Sequence, residues 1–234
     1  MPQINYSRIV ELSHTLRRGI PLWPGDPPVE IRTEARIETD GYALRSFSMG
    51  EHSGTHLNAP AHFYPRGRTA DAVAPENLVI PAVVIDVRLQ AALDEDFALN
   101  KAGVEAWEAA NGKIQPGCMV ILFSGWQERW DDPAAFINRG ADGRLHFPGF
   151  GLDAAHLLLD ERGAAGLGSD AHSVEIGLDA AFSVNHYALA RGALVLENLT
   201  NLEHLSAQGA TLVIGLLRLE GASGAPAAVL AFIP

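Results

Sequence analysis

Residues 102–123 read AGVEAWEAANGKIQPGCMVILF, and two different periodicities meet inside this stretch. Val104, Trp107 and Ala110 recur every third residue, which lines one face of a helix, and Asn111-Gly112 then gives a stop signal. Beyond Pro116-Gly117 comes the unbroken apolar run 118–123, which suits a strand covered on both faces. A helix leading into a strand of that kind predicts an α/β domain.

The same pattern extends outward. Runs at 43–49, 82–87, 193–197, 211–219 and 228–233 are rich in β-branched or aliphatic residues and end at Gly, Pro or polar clusters, so each predicts a strand. A second helix is expected over 152–162, where Ala155, Leu158 and Leu159 share a face before Gly163. Strands outnumber helices, which predicts a mixed sheet. No repeat, charge block or long linker divides the chain, so one domain is expected over 1–234. The Ala/Gly-rich stretch 221–227 reads as a turn between two apolar runs.

Composition narrows the function. Hydrophobic residues make up 47% and charged residues 19%, an ordinary globular balance. A net charge of -11 with no basic cluster excludes a nucleic-acid partner, since phosphate contacts need grouped Lys and Arg. Cys118 is the single cysteine, and its apolar run predicts a buried, inert thiol. The opening residues 1–8 lack a signal pattern, and no apolar stretch reaches membrane-spanning length. These features predict a cytoplasmic protein with no membrane partner.

The chemistry concentrates in residues 52–62, HSGTHLNAPAH. Gly54 and Pro60 disfavour a helix here. In an extended chain His52, His56 and Asn58 share parity and could converge on one ion. Imidazole nitrogen with carboxylate or carbonyl oxygen suits zinc or manganese. His62 follows Pro60, so its imidazole is expected beside the ion and not on it. Glu197 ends an apolar run, where a buried carboxylate is costly unless paired or bound to a cation.

This segment resembles the HxGTHxDxPxH signature of the cyclase family of metal-dependent hydrolases, which includes bacterial kynurenine formamidases and isatin hydrolases. Leu12-Ser13-His14 and Trp23-Pro24-Gly25-Asp26 resemble the family's amino-terminal segments. Phe147-Pro148-Gly149, the stretch Gly168 to Glu175, His186 and the stretch Glu197 to Leu202 follow in the family's order. The resemblance implies a compact β/β/α, swivelling-domain-like fold with a mixed sheet, assembled as a homodimer or homotetramer. It implies His52, His56 and Asn58 as metal ligands, with His186 and Glu197 completing the ion site or holding a second ion. It also implies His62 as the catalytic acid/base and Trp23 as part of the substrate pocket.

Asn58 stands where the signature has Asp. A neutral amide oxygen cannot bridge two cations, so a single ion held mainly by histidines and Glu197 is expected. Asp170 and Glu175 divide evenly between a role in the site and a place in surface turns. His14, His146, His156, His172 and His204 are expected to be structural or solvated, and Arg66 and Arg68 to belong to a charged loop.

The implied reaction is hydrolysis of a carbon–nitrogen bond in a small-molecule amide. A divalent ion lowers the pKa of its bound water from 15.7 to about 7, giving a hydroxide that attacks the carbonyl. His62 handles the proton. An aryl formamide of the N-formylkynurenine type is the first substrate expectation. A cyclic amide such as isatin is the alternative, and a non-catalytic metal-binding scaffold is the reading from a different class.

Overall fold

The computed structural model describes residues 4–234. Met1, Pro2 and Gln3, the start of the stretch read as lacking a signal pattern, lie outside the described residues. In chain order the strands are β1 Arg8–Glu11, β2 Glu30–Ala35, β3 Leu44–Ser48, β4 His56–Asn58, β5 Val79–Asp86, β6 Ala98–Leu99, β7 Met119–Phe123, β8 Gly149–Phe150, β9 Gly166–Ser169, β10 Leu194–Glu197, β11 Gln208–Leu216 and β12 Gly224–Ile233. The helices are α1 Ile37–Asp40, α2 Arg88–Leu93, α3 Lys101–Asn111, α4 Pro133–Ile137, α5 Leu152–His156 and α6 Ser183–Ala190. No helix among the described residues is long and apolar enough to cross a membrane.

Eight strands form one mixed sheet in the order β1-β12-β11-β5-β7-β9-β10-β4. The inner pairs β5–β7, β7–β9 and β9–β10 are parallel, and the outer ones are antiparallel. β12 also pairs with β4 through Gly224↔Asn58, Ala225↔Leu57 and Pro226↔His56, which closes the sheet into a ring. The mixed α/β architecture expected from sequence is the one observed.

Alternation along β7 explains the layers. Met119, Ile121 and Phe123 point into the closed sheet, where they meet Ile80, Ala82, Val84, Leu212 and Val229. Val120 and Leu122 point the other way, onto a layer built from Val104 of α3, Leu157, Leu158 and Val184 of α6. A strand buried on both faces has no polar position to offer, which is why 118–123 is continuously apolar.

Local sequence accounts for the ends of elements. Asn100 caps α3 by accepting a hydrogen bond from the Gly103 amide, 2.9 Å. The second expected helix runs as α5 and continues as a π-helical turn, Leu157–Glu161. β9, of sequence GLGS, carries no apolar signal because a Cβ on Gly166 would lie 2.9 Å from Met119 Cε. The stretch 221–227 is only half a turn: β12 begins at Gly224, because its backbone completes the ladder to β4.

Candidate active site

The site forms where β4 and β10 run antiparallel. Their register pairs His56 with Glu197, so these side chains sit abreast on one face, and Asn58 two residues on faces the same way. His52 arrives differently. The chain is extended only over His56–Asn58, and Gly54 turns it at φ 67, with a Cβ there lying 2.5 Å from Leu16 Cδ2. The shared parity expected of the three residues therefore holds for His56 and Asn58, and a turn delivers His52.

Pro60 opens a 3-10 turn, Pro60–His62, that swings His62 back over His52, with ring centroids 3.9 Å apart. Both line a cavity of about 200 Å³ that also contains His56 and Glu197. Trp23, Phe63 and Phe182 form its aromatic walls, with Trp23 and Phe182 centroids 5.5 Å apart.

His186 does not line this cavity. It lies on the flank of α6, its ring 4.2 Å from that of Phe63 and its carbonyl accepting from Tyr64 Oη at 2.9 Å. The neighbouring Asn185 lines the cavity instead and donates Nδ2 to Glu197 Oε1 at 2.9 Å. The apolar residues Val184, Ala188 and Leu189 define the buried face of α6, and Asn185 falls on that face. That periodicity was the available signal.

His172 also lines the cavity, although sequence alone groups it with the structural histidines. It is 4% exposed, and neither ring nitrogen has an aligned hydrogen-bond partner among the described residues. Asp170 and Glu175 are both buried. Asp170 accepts from Ser124 Oγ at 2.6 Å and the Ser124 amide at 3.0 Å, which ties down the turn after β7. Glu175 accepts from Ser173 Oγ and from Asn185 Nδ2, beneath the site. The other histidines are occupied elsewhere: His14 stacks on Trp130, His146 pairs with Asp96, His156 stacks on Tyr187 and His204 faces Glu203. Arg68 donates to the Gly192 carbonyl and Arg66 is exposed. Cys118 is buried, and burial pushes its thiol up.

Burial favours the neutral form of three of the imidazoles, His52, His62 and His172. Burial, reinforced by His56 and His62, lowers His52 to about 3. Burial likewise lowers His172 to about 4. His62 is exposed at the cavity mouth, yet desolvation by its packed neighbours lowers its pKa, with Glu197 working against the change. Burial alone would raise the Glu197 carboxyl, but with a proton on His56 the attraction of that ring, helped by the Asn185 amide and His172, holds it at about 2. Glu175, where burial dominates, rises to about 7.

This donor set fits a divalent cation. His56 Nδ1–H donates to the Gly54 carbonyl at 2.9 Å, so in the neutral ring the Nε2 lone pair faces Glu197 Oε2 at 3.2 Å. The two atoms are close but misaligned for a hydrogen bond, so Nε2 is a buried nitrogen without a partner. Two buried acceptors facing one another call for a shared cation. Among the described residues no three His, Cys, Asp or Glu side chains form a ligand group by themselves, and the nearest further oxygen donor is the Asn58 amide, 2.7 Å from His52 Nδ1.

The chain has relatives among known proteins. The Cyclase family model matches residues 10–176. The chain is 35% identical to isatin hydrolase of Roseibium aggregatum over 219 residues, 89% of this chain and 82% of that protein. It is 25% identical to kynurenine formamidase of Bacillus cereus over 221 residues, 94% and 95% of the two chains. The solved structure of isatin hydrolase A from Ralstonia solanacearum superimposes with a TM-score of 0.91 at 33% identity, covering 97% of this chain and 92% of that one.

Proposed function

Since this chain belongs to the cyclase family and is a hydrolase, we propose that it opens the carbon–nitrogen bond of a small cyclic amide of the isatin kind, using one divalent ion. The observation that carries the reading is the unpartnered His56 Nε2, facing the Glu197 carboxylate in an aromatic-walled cavity. His52, His56, Asn58 and Glu197 would hold the ion. Mixed nitrogen and oxygen donors suit zinc or manganese. His186 is left out because its ring packs on Phe63 outside the cavity. The chemistry such an ion supplies when bound is Lewis acidity, which polarises a carbonyl and eases deprotonation of water.

The chain's own residues do the rest. Trp23, Phe63 and Phe182 sandwich a flat ring and exclude water from its faces. His62, neutral at pH 7 and at the cavity mouth, takes the proton from the attacking water and returns it to the leaving nitrogen. Water oxygen is thereby added to the carbonyl carbon, the C–N bond breaks, and the ring opens to one molecule carrying a carboxylate and an amine, with one proton released. In this reading the chain works in the cytoplasm on a small-molecule amide, as a homodimer or homotetramer.

An aryl formamide is the second substrate reading, supported by the alignment with kynurenine formamidase along 94% of this chain. The scaffold reading finds no support, because the cavity is open and a free imidazole stands at its mouth.

Zinc- or manganese-loaded protein is expected to open isatin, with activity lost in chelator. His56→Ala should lose metal and turnover together, whereas His62→Ala should keep the metal and slow turnover by about 10²- to 10⁴-fold. Turnover of formyl-anilides alone would transfer the assignment to the second reading. Full activity in chelator would end the metal proposal.

A further inference from the structure

Behind His52 lies a pair of residues that the reaction itself does not use. Ser223 precedes the first residue of β12, and both its amide (2.8 Å) and its Oγ (2.6 Å) donate to Glu51 Oε2. His52 Nε2 is 3.0 Å from the same Oγ. A serine hydroxyl has one proton, and an ionised carboxylate accepts it in a charge-assisted bond, roughly twice as strong as a neutral one. Oγ is then an acceptor toward His52, so Nε2 carries the imidazole proton and Nδ1 carries the lone pair.

The opposite side of the ring is fixed from another direction. Asn185 Nδ2 donates to Glu197 Oε1 and Glu175 Oε1, so Asn185 Oδ1 must accept, and it does so from Asn58 Nδ2 at 3.2 Å. Asn58 Oδ1 is thereby turned toward His52 Nδ1, 2.7 Å away. Two hydrogen-bond chains thus end in lone pairs aimed at one place. Gly224 makes the arrangement possible, because a Cβ there would lie 2.8 Å from His52 Nδ1.

We propose that Glu51 and Ser223 are positioning residues that fix the His52 tautomer and so present its Nδ1 lone pair, beside Asn58 Oδ1, to the ion. The inference rests on the single-ion reading above. It also gives the Ala/Gly-rich stretch 221–224 a task in the site, since only a backbone without bulk lets Ser223 reach behind the ring.

The test combines zinc titration calorimetry with nitrogen-15 NMR of the histidine rings in the zinc-loaded, diamagnetic protein. Wild type is expected to show His52 protonated on Nε2. Ser223→Ala should weaken zinc binding by about 10- to 100-fold, the usual effect of losing the partner behind a ligating histidine. Ser223→Thr retains the hydroxyl and should restore most of that loss. Unchanged circular dichroism and melting in chelator would show that Ser223→Ala is folded. A zinc-binding wild type with equal affinity in Ser223→Ala, or with His52 protonated on Nδ1, overturns the inference alone. A wild type that binds no zinc overturns the ion site and the role of the pair together.

Discussion

Asn58 stands where the family signature has Asp, and Asn185 supplies a physical reason. The Asn185 amide nitrogen is held by Glu197 and Glu175, so its oxygen must be met by a donor, which Asn58 Nδ2 provides. A carboxylate at 58 would set oxygen against oxygen in a buried place. Away from this cluster, His14 makes a separate titration testable. Its ring stacks on Trp130 at 3.8 Å, and burial lowers its pKa to about 4, with Asp131 opposing and Arg17 assisting. An unfolded histidine titrates near 6.5. Between that value and about 4 the unfolded chain binds a proton that the folded chain refuses, so stability falls as pH falls. His172 acts in the same direction, while Glu175, raised to about 7, adds stability as pH falls toward 4.5. His14→Phe keeps the stack, removes the titration and deletes a buried unpaired nitrogen. Urea unfolding at about pH 7 and about pH 5 should therefore show a smaller loss of stability in His14→Phe than in wild type. Equal losses in the two proteins would remove His14 from the account.

At the scale of one element, β7 shows what burial on both faces requires. Ile121 faces the closed sheet and Leu122 the helix layer, and both are fully buried. Ile121→Ala and Leu122→Ala should each cost about 2–5 kcal/mol in chemical denaturation, since each opens a cavity in a packed layer. A near-neutral result for either would mean that its face is not packed as described. This two-sided burial is also why the strand was readable from sequence, as were β5, β10, β11 and β12. Other elements left no such trace. β4 is three residues of a polar motif, held by ladders to β10 and β12 that are remote in sequence. β9 has Gly166 and Gly168 around a single apolar residue, Leu167, because neighbouring strands approach closely at the glycines. In the site, the motif histidines and Glu197 were legible because their chemistry is unusual in an apolar setting. Asn185 was hidden by the adjacent His186, and Ser223 by a stretch whose composition looks like a turn. His172 was missed because one histidine has no spacing to interpret, and only the fold brings it to Trp23, with centroids 5.4 Å apart.

The molecule as a whole closes its main sheet but leaves a hairpin outside it. β2 and β3 pair only with each other, and every residue of β3 is exposed. A two-stranded hairpin is marginal on its own in water, and this one is anchored on one side, where Ile31 and the flanking Val29 and Met49 pack onto the cluster around Trp126 and Phe147. The apolar side chains of β3 and of the connection before it are turned outward: Ile37 is 65% exposed, Tyr42 58%, Leu44 51% and Phe47 62%. Phe47 also borders a groove with Leu217 and Leu219, themselves about half exposed, so the apolar area continues onto the main body. A net charge of -11 makes copies of the chain repel one another, so the proposed homodimer or homotetramer must be held by apolar contact and not by charge. Phe47→Glu places a carboxylate at the centre of that area, and burying it against a second copy would cost several kcal/mol. Phe47 is exposed and belongs to no core cluster, so the variant monomer should remain folded. Sedimentation velocity is expected to show an oligomer for wild type and a smaller species for Phe47→Glu, with matching circular dichroism. A monomeric wild type would overturn the assembly itself. An oligomer that survives Phe47→Glu would move the interface to another face, and the outward apolar residues of the hairpin would then need a different partner.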